Sequence, residues 1–186
     1  MRIIAGERKG HTIYAPKGLD TRPTSDRVRE NVFNIVAPWV EGARVLDLYA
    51  GSGAMGLEAL SRGAKSATFV EADPDAVRTI ERNLDKLRLT GATVLRLQAT
   101  TGLAQEAAAG RKYDLVLLDP PYAMTDYDAL ALYLPRVLAD DGLLVLESSA
   151  RSEPELPGLA VRTTRKYGST RVTVFEHDSA GEGREE

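Results

Sequence analysis

The chain contains 186 residues, of which 43% are hydrophobic and 27% charged, the size and composition of one soluble globular domain. It has no cysteine and only two histidines, which excludes disulfides, thiolate metal sites and cysteine nucleophiles and argues against a histidine-based metal site or triad. No apolar run is long enough to cross a membrane, and the N-terminus lacks the apolar region of a signal peptide. We therefore expect a cytoplasmic protein with no metal site and no membrane contact.

Charge is distributed unevenly along the chain, although the net charge is only −3. Residues 178–186 carry four acids and one base, whereas residues 1–29 carry seven bases and three acids. The acidic end has almost no apolar residue, which predicts a disordered tail over 178–186. The basic beginning is either a solvated face or a surface that contacts phosphates.

The first forty residues predict a small hairpin followed by a helix. Residues 2–20 alternate short apolar pairs with glycines and a proline, which is typical of a hairpin. Residues 26–38 place apolar side chains at helical spacing, with Thr24 or Ser25 as the N-cap.

After Gly42 short apolar runs alternate with amphipathic segments at the spacing of βαβ units, which predicts a parallel sheet. The predicted strands lie near 44–48, 67–71, 93–97, 114–118 and 142–147. The predicted helices lie near 54–62, 74–88, 100–109 and 127–138, the second of them capped by Asp73 and started by Pro74. Two further β-like runs, 159–165 and 171–176, predict a terminal hairpin.

The stretch from Arg44 to Met55 carries the strongest functional signal. Its apolar run predicts a buried strand with Asp47 near its end, and Gly51, Gly53 and Gly56 follow. Glycines at that point let the backbone turn sharply and let a ligand approach main-chain atoms. The sequence therefore predicts a cofactor site in the loop between a strand and a helix.

The identity of the cofactor depends on the acids around these glycines. The spacing Gly51-x-Gly53-x-x-Gly56, with Glu71 twenty positions after Gly51, matches the dinucleotide fingerprint. Asp47 argues against NAD, because a carboxylate aimed at a pyrophosphate would repel it. S-adenosylmethionine carries a sulfonium and an ammonium group and no phosphate, so Asp47 would attract it, while Glu71 accepts hydrogen bonds from ribose hydroxyls. We predict S-adenosylmethionine as the cofactor and keep an NAD-dependent oxidoreductase as the alternative.

A second motif, Asp119-Pro120-Pro121-Tyr122, follows the fourth predicted strand. Taken alone it is either a diproline turn with a packing aromatic residue or a functional loop. Ligands of open α/β sheets bind beyond the carboxyl ends of the strands, where the strand order reverses. Strands one and four flank that point, so we expect Asp47, Gly51 and Asp119 to converge on one crevice.

These residue types suit methyl transfer to an exocyclic amine, whose lone pair is delocalised into the ring of its base. Asp119 can accept one N–H bond and the Pro120 carbonyl the other, which favours a pyramidal nitrogen. Tyr122 can stack on the base and fix its plane. Catalysis would then consist mostly of alignment and electrostatic stabilisation.

Several blocks of the sequence resemble class I S-adenosylmethionine-dependent methyltransferases, and more narrowly the bacterial 16S rRNA guanine-N2 methyltransferases of the RsmD type. The resemblance rests on Arg2-Ile3-Ile4-Ala5-Gly6 with Lys9-Gly10, Arg22-Pro23-Thr24-Ser25-Asp26-Arg27-Val28-Arg29-Glu30 with Phe33-Asn34, Asp47-Leu48-Tyr49-Ala50-Gly51-Ser52-Gly53, Glu71, Asp119-Pro120-Pro121-Tyr122 and Tyr167-Gly168-x-Thr170. The Asp-Pro-Pro-Tyr motif is shared with adenine-N6 enzymes and does not distinguish the two groups. The narrower resemblance to RsmD-type enzymes therefore rests on the N-terminal Arg-Pro-Thr block and on the short length of the chain.

The resemblance implies a Rossmann-like α/β fold with a seven-stranded, mostly parallel sheet, a C-terminal antiparallel hairpin and a small N-terminal β-hairpin extension. It implies an RNA-contact extension over 1–24, a methyltransferase domain over 25–177 and an acidic tail over 178–186. It also implies that a guanine of 16S rRNA in a small-subunit particle is the substrate, with ribosomal proteins near the target and a monomeric enzyme. Catalytic roles fall on Asp119, Pro120 and Tyr122, and cofactor contacts on Asp47, Tyr49, Gly51, Ser52, Gly53, Glu71, Ala99, Thr100 and Asp119.

One stretch departs from the family pattern. Related enzymes often place Asp or Asn after the third strand to bind the adenine amino group, whereas this chain has Gln98-Ala99-Thr100-Thr101. Either a backbone amide or Thr100 makes that contact, or the loop aligns one position away.

We expect basic residues at the two ends of the chain to contact rRNA phosphates, a salt-sensitive interaction that does not depend on base sequence. The residues concerned are Arg8, Lys9, Arg22, Arg27, Arg29, Arg165 and Lys166. Arg27 and Arg29 lie in the first turn of a helix, where cations oppose the helix dipole, which hints at a functional reason for them. Alternatives to this function are adenine-N6 transfer to nucleic acid, glutamine-N5 transfer to protein, and a non-catalytic RNA chaperone.

Overall fold

Seven strands form the centre of the structure, a computed structural model that describes residues 1–17 and 26–179. The strands are β1 (Arg44–Leu48), β2 (Ser66–Val70), β3 (Ala92–Leu95), β4 (Tyr113–Leu118), β5 (Leu138–Ser149), β6 (Leu159–Tyr167) and β7 (Thr170–His177). They make one sheet in the order β3-β2-β1-β4-β5-β7-β6. Strands β1 to β5 pair in parallel, while β7 pairs antiparallel with β5 and with β6. The predicted parallel sheet and terminal hairpin are confirmed.

Within the described residues, six α-helices connect or precede these strands. They are α1 (Asp26–Val36), α2 (Ala54–Ser61), α3 (Pro74–Leu87), α4 (Ala99–Ala108), α5 (Asp128–Ala131) and α6 (Leu134–Val137). A 3-10 turn, Ala37–Trp39, follows α1 and contains Pro38. The side chain of Asp73 accepts a hydrogen bond from the Ala76 amide at 3.0 Å, so the predicted cap of α3 is confirmed.

The single helix predicted over 127–138 is wrong. Two one-turn helices occupy that segment, and Leu138 already begins β5. Pro135 lies in the first turn of α6, and a proline restricts the residue before it, so the chain restarts a helix there instead of continuing one. The carboxyl part of the segment is an irregular entry into β5, whose register with β4 shifts between Tyr113 and Leu115.

Alternate residues of the strands point into two apolar layers. Val45 and Leu115 face α1, α2 and α3, where Phe33, Leu57 and Ile80 are buried. Leu46 and Val116 face α4 and the two short helices, where residues such as Leu103, Leu130 and Leu134 are buried. Strands buried on both faces read as continuous apolar runs, which explains why β1, β4 and β5 could be recognised from sequence.

Residues 1–17 fold back on themselves and pack against α2 and α3. The Ile3 amide donates to the His11 carbonyl at 2.9 Å, and the Ile13 amide donates to the Met1 carbonyl at 3.0 Å. The fully buried carboxylate of Glu58 on α2 accepts hydrogen bonds from the amides of Ile4 and Ala5, at 3.0 and 3.1 Å. The predicted N-terminal hairpin is therefore present as a small element with a dedicated docking site.

Two predicted features fall wholly or mainly beyond the described residues. Thr24 and Ser25, the candidate N-caps of α1, lie there, as does most of the predicted acidic tail, from Ala180 onward. In the part of the chain that is described, no helix is long and apolar enough to cross a membrane.

Candidate active site

The strand order reverses between β1 and β4, and the sequence-predicted cofactor loop lies at the carboxyl ends of these two strands. Gly51 and Gly53 both adopt positive φ, at 57° and 80°, in the turn that leads from β1 into α2. Such angles favour glycine because a Cβ atom would clash with the backbone. The loop is thus the tight strand-to-helix turn that the glycine spacing predicts.

Asp47 lies beneath this loop and is almost fully buried. Its Oδ2 accepts a hydrogen bond from the Gly56 amide at 3.0 Å, which joins the end of β1 to the first turn of α2. An added Cβ on Gly56 would lie 2.4 Å from the Phe69 ring and 3.1 Å from Asp47 Oδ2, so only glycine allows this approach. The Asp47 carboxylate therefore stabilises the conformation of the loop and also supplies negative charge to the site.

Burial raises the pKa of Asp47 well above its usual value, the Gly56 hydrogen bond opposes that shift, and the charges of Asp119 and Glu71 add to it. Three carboxylates in one low-dielectric crevice repel one another. A ligand with cationic groups would relieve that repulsion, whereas a pyrophosphate would increase it. This arrangement fits the sulfonium and ammonium groups of S-adenosylmethionine and does not fit a dinucleotide.

Glu71 follows the end of β2 and links the loop to the start of α3. Its Oε2 accepts from the Gly51 amide at 2.8 Å, and its Oε1 accepts from the Asp73 amide at 3.0 Å. A carboxylate has about four acceptor positions, so these two bonds orient Glu71 and leave capacity for ribose hydroxyls.

The Asp119–Tyr122 loop follows β4 directly. Asp119 and Asp47 line one small cavity, which is completed by Met55, Leu117, Leu118, Val145 and Glu147. The Tyr122 hydroxyl forms a 2.5 Å hydrogen bond with Thr170 Oγ1 at the start of β7. This bond fixes the ring at the edge of the crevice and gives the Tyr167-Gly168-x-Thr170 motif a structural role that the sequence alone did not reveal.

Tyr49 connects the two loops. It has φ of 56°, unusual for a residue with a side chain, and its hydroxyl donates to Met124 Sδ at 3.5 Å just beyond the Asp119–Tyr122 loop. Burial raises the pKa of Tyr49. Non-glycine residues at positive φ are concentrated at functional sites, where the surroundings hold them in place.

Ala99 and Thr100 form the first turn of α4, next to the carboxyl end of β3. The N-cap residue, Gln98, makes no side-chain capping bond, so the backbone amides of this first turn are available as donors. This placement favours the backbone-amide alternative for the contact to adenine.

The basic residues predicted to contact RNA differ in their environments. Lys9, Arg27, Arg165 and Lys166 are exposed, as an RNA-contact residue has to be. Arg22 lies outside the described residues.

The prediction for Arg29 is wrong. Arg29 is fully buried, donates to the Arg2 carbonyl and forms a 3.0 Å ion pair with Asp26. It points inward from α1 and joins this helix to the N-terminal hairpin, so it has no surface to offer RNA.

Arg8 is mostly covered. Its Nε donates to the Leu87 carbonyl at 2.5 Å, and its guanidinium also pairs with Glu7 at 3.6 Å. It fastens the hairpin to the end of α3, and only part of its side chain is free to contact a ligand.

Sequence reasoning missed three features. Glu147 lies near the carboxyl end of β5 as Asp47 lies near that of β1, and this shared pattern could have revealed it. Arg82, Lys86 and Arg88 on and just after α3 lie beside the N-terminal hairpin, a proximity that no local pattern signals. Asn83, on the same helix, is buried against the cofactor loop.

The Rossmann-like sheet, the glycine loop over a buried acid and the Asp-Pro-Pro-Tyr loop across the crevice define a class I S-adenosylmethionine-dependent methyltransferase. Within the described ranges no group of three or more His, Asp or Glu side chains is arranged to hold a metal ion.

Comparison with known proteins narrows the class. The family described as "Conserved hypothetical protein 95" matches residues 1–176. "Putative rRNA methyltransferase YlbH" of Bacillus subtilis is 40% identical over 95% of this chain and 98% of its own length. "Ribosomal RNA small subunit methyltransferase D" of Escherichia coli is 34% identical over 98% of this chain and 92% of its own. The solved structure of "Putative methyltransferase yhhF from Escherichia coli" superposes with a TM-score of 0.85 at 35% identity, covering 96% of this chain and 98% of that one. The chain therefore belongs to this family of RsmD-type methyltransferases.

Proposed function

We propose that this enzyme transfers a methyl group from S-adenosylmethionine to the exocyclic N2 amine of a guanine in 16S rRNA, within a small-subunit particle. The observation that carries the proposal is the shared cavity of Asp47 and Asp119, which sets the cofactor loop against the Asp-Pro-Pro-Tyr loop. The names of the relatives support rRNA as the substrate, and guanine N2 is the assignment that the sequence resemblance implies.

In this proposal residues at the carboxyl ends of β1, β2 and β3 would hold the methyl donor. Glu71 accepts hydrogen bonds from the ribose, while Asp47 provides the negative charge that attracts the cationic groups. Tyr49, Gly51, Ser52 and Gly53 shape the loop around the methionine part. The first-turn amides of Ala99 and Thr100 bind the adenine. When bound, S-adenosylmethionine supplies the sulfonium methyl group.

The acceptor amine lies at the Asp119–Tyr122 loop. Asp119 accepts one N–H bond and the Pro120 carbonyl the other, so the nitrogen lone pair is freed from the ring and directed at the methyl group. The negative charge of Asp119 would also stabilise the amine as the N–C bond forms, the S–C bond breaks and S-adenosylhomocysteine is left, and its carboxylate would accept the proton that the cationic amine then loses. Tyr122, held by Thr170, supplies the face on which the base stacks.

We further propose an RNA-contact surface that combines α3 with the described part of the N-terminal extension, residues 1–17. Arg82 and Lys86 place their charges 3.8 and 4.7 Å from the ring centre of Tyr14, and Lys86 also donates to the Thr12 carbonyl at 2.7 Å. Together with the exposed Lys9 and Arg88 they form a cationic surface around a partly exposed aromatic ring. Cations that can bind phosphates, and aromatic rings or guanidinium planes on which an unpaired base can stack, are two recurring features of RNA recognition.

The proposal is tested by labelled methyl transfer to small-subunit particles from a strain that lacks this gene, followed by mapping of the modified nucleotide. We expect N2-methylguanine at one position of 16S rRNA. N6-methyladenine would instead support the adenine alternative, and the absence of transfer to both particles and free 16S rRNA would contradict the proposal. The same assay with free rRNA decides whether ribosomal proteins are needed.

A further inference from the structure

A fully buried amide on α3 connects the cofactor loop to the N-terminal hairpin. Asn83 has no exposed surface. Burying an amide is costly unless its hydrogen-bonding groups are satisfied, so its partners indicate what it stabilises.

All three partners of Asn83 are backbone atoms of distant segments. Its Oδ1 accepts from the Tyr14 amide at 2.8 Å, and its Nδ2 donates to the Tyr14 carbonyl at 3.0 Å and to the Ser52 carbonyl at 3.1 Å. Both amide hydrogens are used. The side chain thus binds both backbone groups of one hairpin residue and one carbonyl of the cofactor loop.

The bond to Ser52 fixes a particular peptide group. The carbonyl of the Ser52–Gly53 peptide is held by Asn83, and its N–H is held by the Ala50 carbonyl at 2.7 Å. Held at both ends, the peptide cannot rotate without breaking a hydrogen bond. Ile80, one helical turn before Asn83, closes the remaining space, because a Cβ on Gly53 would lie 3.2 Å from its Cγ1.

We propose that Asn83 is a positioning residue for methyl transfer, which presets the Ser52–Gly53 peptide in the conformation that receives the methyl donor. Without it, Ser52 and the glycines on either side regain conformational freedom, and donor binding has to supply the free energy of ordering them. Through Tyr14 the same side chain anchors the hairpin, so one residue supports the cofactor loop and the proposed RNA-contact surface.

The test compares two buried polar anchors of the same hairpin, of which only one touches the cofactor loop. Asn83→Ala removes all three hydrogen bonds, and Asn83→Asp keeps the acceptor for the Tyr14 amide while removing both donors. Glu58→Ala is the matched control, since Glu58 is also fully buried and binds Ile4, Ala5 and Arg62. Each variant is titrated with S-adenosylhomocysteine by calorimetry at low temperature, and its thermal unfolding is recorded in parallel.

We expect both Asn83 variants to raise the Kd for S-adenosylhomocysteine by about three- to tenfold, the loss of one or two net hydrogen bonds. Glu58→Ala should lower Tm while leaving that Kd within about twofold of the wild type. In steady-state assays the KM for the donor should rise more than kcat falls, because a preset loop contributes to ground-state and transition-state binding alike.

The inference is overturned if the Asn83 variants melt at lower temperature yet bind S-adenosylhomocysteine as tightly as the wild type. It is equally overturned if Glu58→Ala weakens binding to the same extent, since detachment of the hairpin would then explain both results. If Asn83→Ala does not fold, the comparison of Asn83→Asp with Glu58→Ala decides.

Discussion

The surroundings of the cofactor loop and the proposed RNA-contact surface differ in how they would bind their ligands. Around the glycine loop, the side chains of two buried residues, Asp47 and Asn83, and of the half-buried Glu71 bind specific backbone groups: those of Gly56, Ser52 and Gly51, respectively. On the proposed RNA-contact surface, Lys9, Arg82 and Arg88 are exposed. A small ligand needs a preorganised site, whereas a polyanion can be held by summed charge. Substitutions at the first region should therefore act through geometry and those at the second through charge.

The largest effect is expected at the Asp119–Tyr122 loop, where Asp119 shares a cavity with Asp47 of the cofactor site. Asp119→Ala should lower the single-turnover rate of methyl transfer by about a hundredfold or more, because it removes the acceptor and the charge that stabilise the reacting amine. Asp119→Asn, which keeps an acceptor oxygen, should lose less. Asp114→Ala is the control, since Asp114 lies at the other end of the same strand in a 3.1 Å ion pair with Arg44. A rate for Asp119→Ala within about threefold of the control would show that the motif is a structural turn.

The next effect separates charge from geometry within the cofactor site. Asp47→Asn keeps an oxygen to accept from Gly56 but removes the charge, so it should weaken binding of S-adenosylmethionine by about tenfold, the order of one close charge interaction in a partly screened site. The ligand-free variant should be more stable than the wild type at neutral pH, because the raised pKa of Asp47 means that ionisation opposes folding.

The pH dependence of stability tests whether folding raises the pKa of Asp47. An acid whose folded-state pKa is raised destabilises the fold above that pKa, and the cost disappears as the pH falls towards the unfolded value of 3.8. The stability advantage of Asp47→Asn should thus be largest at neutral pH and shrink on acidification. Thermal unfolding of both proteins from about pH 8 to about pH 4 measures it, and an advantage that grows on acidification would contradict the assignment.

A smaller effect is expected on the proposed RNA-contact surface. Arg82→Glu with Lys86→Glu should weaken particle binding, and the slope of log affinity against log salt should fall by about one for each phosphate that the variant no longer neutralises. Kd for S-adenosylhomocysteine should stay unchanged. Lys112→Glu with Arg136→Glu is the matched control, because both side chains are exposed and α6, which carries Arg136, packs on the face of the sheet opposite α3. An equal decrease in both double variants would indicate general charge attraction without a defined surface.

Arg29 provides a second control for the RNA-contact surface, because its replacement should change stability and not RNA binding. Because it is buried in an ion pair with Asp26, Arg29→Ala should lower the free energy of unfolding by about 2 kcal/mol and leave the salt slope of particle binding unchanged. A reduced salt slope in the folded variant would restore Arg29 to the RNA-contact residues.

The two regions also differ in how far the sequence predicted them. Periodicity gave the strands and their parallel arrangement, because strands buried on both faces are continuous apolar runs. Asp47, Gly51 and Glu71 could be placed because their positions at strand ends are local properties of βαβ units. Arg29 was wrongly predicted to contact RNA because a basic residue in the first turn of a helix gives the same sequence pattern whether its side chain is exposed or buried. The roles proposed for Asn83 and Arg82 depend on packing between distant segments, since Tyr14 and Asn83 are 69 positions apart in the sequence, and no local pattern encodes that.

The smallest effect concerns the hydrogen bond that ties the catalytic loop to the terminal hairpin. Tyr122→Phe keeps the stacking ring but removes the hydroxyl bound to Thr170, and Thr170→Val removes the other partner. If the bond fixes the ring for base stacking, each variant should raise the KM for the particle by about threefold, and the double variant should be no worse than either, because the same hydrogen bond is removed. Steady-state kinetics with saturating donor measures the cycle. Additive effects would mean that Tyr122 and Thr170 act separately, and that their hydrogen bond does not fix the ring for base stacking.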